Sequence, residues 1–90
     1  VGGAVASAIG ERLARLAGRA QLLVVTHSPQ VAARGDRQWL IAKSHDGLVT
    51  RTGVRPLDEA ERREEIARML SGAAVTDEAR AQAGKLLEAA

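Results

Sequence analysis

The stretch Thr26-His27-Ser28-Pro29-Gln30 holds the residue types best placed for chemistry, because an imidazole follows directly on an apolar run at Leu22–Val25. If that run is a strand of an open α/β sheet, His27 stands at its carboxyl end, the edge where ligands bind in such sheets. A neutral imidazole there can donate a hydrogen bond to a phosphate oxygen or orient an attacking water, and either role suits phosphoryl transfer. The alternative is a histidine that satisfies loop carbonyls at a strand terminus. Two glycines near the start, Gly2 and Gly3, would allow close backbone approach to a phosphate. No G-x-x-x-x-G-K-[ST] or G-x-G-x-x-G pattern accompanies them, so any phosphate cradle has to come from elsewhere.

Other constellations point away from chemistry. His45 lies beside Asp46 in a turn, and two histidines without cysteine do not make a zinc site. Ser28, His27 and Asp36 lack the sharp nucleophile turn that a hydrolytic triad uses. Arg62, Arg63 and Arg68 alternate with Glu59, Glu61, Glu64 and Glu65, the pattern of a solvated helix face with i,i+4 pairs rather than a DNA track. Trp39 is the one aromatic residue, which excludes an aromatic stacking platform for single strands; its expected role is core packing against the hairpin described next.

The elements that must position His27 follow from periodicity. Val5, Ile9, Leu13 and Leu16 recur at helical spacing and predict an amphipathic helix ending near Gly18. Gln21–Thr26, short, apolar and β-branched, reads as a strand buried on both faces, as in parallel sheets covered by helices. Ser28 is the expected N-cap and Pro29 the first residue of a short helix through Ala33 that stops near Gly35. Gln38–Ser44 and Leu48–Val54, separated by a segment with Asp46-Gly47, predict a β-hairpin. Asp58 with Glu61 forms a capping-box pattern before an apolar stripe of Ile66, Met69 and Leu70, with Gly72 as the stop. Thr76 then caps a last helix to about Leu87.

At 90 residues, with 46% hydrophobic residues carried mainly by small Ala and Val, the chain is one small α/β unit with weak independent stability. It has no cysteine, which excludes disulfide staples and fits a reducing, intracellular setting. The net charge is +2 and its 11 acidic residues are interspersed with the basic ones, so there is no nucleic-acid-binding tail. No apolar run approaches the roughly 20 residues of a membrane span, and no secretory signal is visible. The start at Val1 without an initiator Met reads as a piece of something longer.

Beyond these readings, Leu23-Val24-Val25-Thr26-His27-Ser28-Pro29-Gln30-Val31-Ala32-Ala33, preceded by the Val-Gly-Gly-x-Val-Ala helix start, resembles the carboxy-terminal part of the RecN family of bacterial DNA repair proteins, SMC-like members of the ABC ATPase superfamily. Arg63-x-x-Glu-Ile-Ala-Arg-Met-Leu-Ser-Gly and the helix opened by Thr76-x-x-Ala extend the resemblance over essentially all 90 residues. The resemblance implies an α/β fold, with residues 1–90 the C-terminal lobe of a P-loop ATPase head: 1–3 the tail of the D-loop, 21–27 the strand and switch-histidine loop, 57–90 a helical tail. It implies that His27 contacts the γ-phosphate or the attacking water, and that Gly2 and Gly3 approach the nucleotide sandwiched between two heads. ATP with Mg would be bound by the parent head, whose phosphate loop, signature motif and Walker B acids would precede Val1. The implied partners are the rest of the head, a second head in a homodimer, and DNA through the assembled protein, in the nucleoid-associated cytoplasm and with no membrane. The competing expectation is a small α/β interaction module in which His27 is structural.

Overall fold

The computed structural model describes residues 2–89. Four helices and one antiparallel hairpin follow in the order α1 (Gly3–Ala17), α2 (Pro29–Ala32), β1 (Trp39–Asp46), β2 (Val49–Pro56), α3 (Glu59–Ser71) and α4 (Asp77–Glu88). Local chemistry explains most of the boundaries. Ser28 Oγ accepts from the Val31 N–H at 3.4 Å and caps α2, with Pro29 in its first turn. Asp58 and Glu61 form a reciprocal capping box at α3, each side chain accepting from the other's backbone N–H. Thr76 Oγ1 accepts from the Ala79 N–H at 3.1 Å to open α4. Gly72, with φ of 82°, ends α3 in a conformation that side chains avoid.

The hairpin pairs Trp39 with Pro56 through to Asp46 with Val49, which leaves Gly47 and Leu48 as its two loop residues. The expected separating segment between Ser44 and Leu48 is thus shorter and later: His45 and Asp46 belong to β1, and Leu48 to the loop. Gly47 takes φ of 62° and no non-glycine among the described residues has positive φ, so the turn needs its glycine at the first loop position, as in type II′ hairpins.

The core is small. Ile66, Ala67, Ala79, Ala83 and Ala33 are buried, bringing α3, α4 and the end of α2 together, with Leu70, Val75, Leu86 and Leu87 packed around them. Ile66 is the one large side chain fully withdrawn from solvent among the described residues. A second contact joins α1 to α2 at Gly10, which lies under Gln30, Val31 and Arg34. The radius of gyration of 14.0 Å exceeds the ~12 Å of a compact chain this long, as expected when so little apolar surface is buried.

Three expectations are corrected. The run Gln21–Thr26 is not a buried strand: it has no ladder partner among the described residues, and Leu23 and Val25 are 94% and 79% exposed. A central parallel strand requires strands on both sides, and among the described residues the two strands pair only with each other. Trp39 does not pack in the core but is more than half exposed at the start of β1, on the same face of the hairpin as Ile41 and Val54. On α1 the buried positions are Ala6 and Gly10, while Val5, Ile9 and Leu16 face outward, because four-residue α2 docks on the small-residue side.

Candidate functional site

His27 sits in a bend between the extended run and α2, and hydrogen bonds on either side fix that bend. The Ser28 N–H donates to Thr26 Oγ1 at 3.0 Å, arching the backbone around His27. Ser28 Oγ donates to Gln30 Oε1 at 3.1 Å while accepting from Val31. The imidazole is exposed and makes no hydrogen bond among the described residues, leaving both ring nitrogens available to an outside group.

Gly3, the first residue of α1, approaches the same turn: a Cβ placed on it would lie 3.5 Å from Gln30 Nε2. Gly2, the N-cap, has no atom of this chain within 4 Å of such a Cβ, so its outer side is open. The fold thus brings Gly3 to Gln30, three residues past His27. Val1, the first residue expected in the D-loop tail, and Ala90, the last of the expected helical tail, lie outside the described residues. Two shallow recesses, one against Arg63 and Leu87 and one against Trp39 and Arg62, are lined by neither His27 nor Gly3.

The arrangement offers one open imidazole and backbone that a ligand can approach, and little else. No group of three or more His, Cys, Asp or Glu residues that could hold a metal occurs among the described residues. No helix among them is long and apolar enough to cross a membrane. His45 lies in β1 and not, as expected, in the turn, because the ladder runs on to Asp46; its Nδ1 is 3.0 Å from Thr50 Oγ1 across the hairpin.

The arginines are more structural than their sequence pattern implied. Arg68 pairs with Glu65 and Arg80 with Asp77 at i,i+3, not i,i+4. Arg80 also bridges to Glu64 on α3, which holds the Glu64 carboxyl below its ordinary range. Arg63 Nε donates to the Arg80 carbonyl at 3.1 Å. Arg55 donates to Glu61 at 2.6 Å and joins the hairpin to the α3 cap. Arg62 departs furthest from a solvated face: half-buried, it donates to carbonyls at the end of α2. Its partners are 24 to 30 positions away, so no short-range signal reveals them; Gly35, the expected stop, does not take positive φ.

Comparison with known proteins decides the relationship. No family model matches the chain. The DNA repair protein RecN of Streptomyces coelicolor is 57% identical over 90 residues, which is 100% of this chain and 16% of that protein. RecN of Mycobacterium bovis is 48% identical over 91 residues, and RecN of Xylella fastidiosa strain 9a5c 46% over 88, covering 15% and 16% of those proteins. The chain is homologous to a segment of RecN. It spans about one sixth of the RecN proteins it matches, yet the match runs through every element from α1 to α4. The RecN relationship thus covers the His27 turn and the Gly2-Gly3 start together.

Proposed function

We propose that this segment is the C-terminal lobe of a RecN ATPase head acting in recombinational repair of DNA double-strand breaks. In this reading His27 is the switch histidine and Val1-Gly2-Gly3 the tail of the D-loop. The observation that carries the proposal is whole-length identity of 57% to a protein named for DNA repair, spanning a pinned turn that presents an open imidazole.

In this reading His27 acts on the γ-phosphate or on the attacking water. Hydrolysis of ATP requires a water to attack the γ-phosphorus as the bond to the β-phosphate oxygen breaks, giving ADP and inorganic phosphate; catalysis is mainly positioning and electrostatic stabilisation. His27 would donate a ring N–H to a γ-phosphate oxygen, or accept a hydrogen bond that orients the water, while the Thr26, Ser28 and Gln30 hydrogen bonds hold the bend. Magnesium and the phosphate cradle would be supplied by other parts of the head. The apolar run at Leu22–Val25 fits this division, since its backbone would pair with strands, and its exposed Leu23 and Val25 would be covered by helices, from outside these 90 residues. The open side of Gly2 suits close approach of a second head.

The coding sequence immediately before Val1 tests the proposal. An apolar strand ending in an Asp-Glu pair supports an ATPase head; a start codon or an unrelated domain there overturns it.

A further inference from the structure

A helix of four residues cannot sustain itself in water, and its final carbonyls have no intrahelical donors. At the end of α2 the Pro29, Val31 and Ala32 carbonyls accept from the backbone N–H groups of Ala33, Arg34 and Gly35, and a side chain from α3 adds a second set of donors. Arg62 Nη2 donates to the carbonyls of Ala32 at 3.0 Å, Ala33 at 3.2 Å and Gly35 at 2.5 Å, and Nε donates to Gln38 Oε1 at 3.2 Å. Two hydrogens on Nη2 serve three acceptors, so at least one is shared. Burial pulls the Arg62 pKa below its ordinary value, opposed by the Asp36 charge; the guanidinium nonetheless stays protonated at neutral pH.

The opposite end of α2 is the His27 turn. Ser28 caps the helix, and the helix spans only ~6 Å at 1.5 Å per residue. What holds the Ala32–Gly35 end, Arg62 together with Ala33 in the core, therefore acts with the α1 contact at Gly10 on where Ser28, and with it the bend at His27, is placed. Arg62 extends from α3, whose Ile66 and Ala67 belong to the buried core. It connects the most firmly packed part of the chain to the turn without touching His27.

We propose that Arg62 is a positioning residue for His27, acting through α2. The proposal rests on the reading of His27 as the switch histidine. A lysine cannot replace the fork of Arg62, because a single ammonium does not span carbonyls and an amide oxygen on different sides.

The test uses the full-length protein that carries this segment, with Arg62→Ala, Arg62→Lys, His27→Ala and the double variant His27→Ala/Arg62→Ala. Expected for Arg62→Ala is a loss in kcat for ATP hydrolysis on the order of 10-fold, as slight misplacement of a reacting group produces, with KM for ATP essentially unchanged; Arg62→Lys recovers only part of it. In the His27→Ala background the same change has no further effect, since there is no imidazole left to misplace. Amide exchange in Arg62→Ala accelerates at Ala32–Gly35 and not along α4. Wild-type kcat in Arg62→Ala, full recovery by Arg62→Lys, equal fold-losses in both backgrounds, or exchange that accelerates across α3 and α4 together overturns the proposal. If His27→Ala alone turns over ATP normally, the switch-histidine reading fails and the proposal with it. A slow His27→Ala protein with multiplying losses overturns the positioning role alone.

Discussion

Gly10 and Gly84 occupy helix interiors, in α1 and α4, with ordinary negative φ, and differ only in what surrounds them. Replacing either with alanine adds about 1 kcal/mol of helix propensity. At Gly84 the new Cβ would meet Arg63 Nε, Cζ and Nη2 at 3.6, 3.7 and 3.7 Å, ordinary contact with the end of a flexible side chain. Gly84→Ala should therefore stabilise the chain by about 1 kcal/mol, a rise in Tm of about 4–8 °C for a domain of this size. At Gly10 the Cβ would lie 3.0 Å from Arg34 Cγ and 3.1 Å from the Gln30 carbonyl oxygen, which is α2 backbone and retreats only if the helix moves. Overpacking of this kind costs about 1–3 kcal/mol, enough to cancel or reverse the propensity gain. Urea unfolding of the 90-residue chain followed by far-ultraviolet circular dichroism should place Gly84→Ala above Gly10→Ala by at least ~1 kcal/mol. If Gly10→Ala is stabilised as much as Gly84→Ala, α1 does not approach α2 as described, and the contact that carries Gly3 to Gln30 fails with it.

Ile66→Ala should cost about 2–5 kcal/mol by chemical denaturation, because it leaves a cavity at the one large, fully buried side chain of the described core. Acid should weaken the fold in a definite window. Glu61, held by the Arg55 hydrogen bond and then by the Asp58 backbone N–H, and Glu64, held by the Arg80 hydrogen bond, both titrate below the ordinary 4.5. A lowered folded-state pKa contributes stability that is complete above the unfolded value and is lost as pH falls through the folded one. Tm should therefore decline as pH drops below about 4.5, less steeply in Arg55→Gln and Arg80→Gln; both pairs are exposed, so the decline should shrink in high salt.

The helix starts and the hairpin were legible because they depend on neighbours in the chain. Ser28, Asp58 with Glu61, and Thr76 cap by reaching three residues ahead, and Gly72 ends α3 by its own backbone freedom. The strand ends differ by a residue or two because Asp-Gly marks a turn without stating which loop position the glycine fills. The burial of α1 was illegible for a different reason. A stripe of Val5, Ile9 and Leu16 predicts which side could be buried, whereas the short partner α2 contacts Ala6 and Gly10. Gln21–Thr26 has the composition of an inner strand, but pairing is a property of neighbours, and these residues have none here. At the site, His27 and its capped turn could be read directly, while the Arg62 tether could not, since its partners lie in segments brought together only by folding.

The central claim, that His27 acts on the γ-phosphate of ATP in a RecN head, is tested most directly by single-turnover ATP hydrolysis with the full-length His27→Ala protein. The expected result is a hydrolysis rate lower by on the order of 10²-fold or more, with ATP affinity retained and Tm close to wild type, because the imidazole is exposed and bonds to nothing else among the described residues. An unchanged hydrolysis rate would contradict the claim.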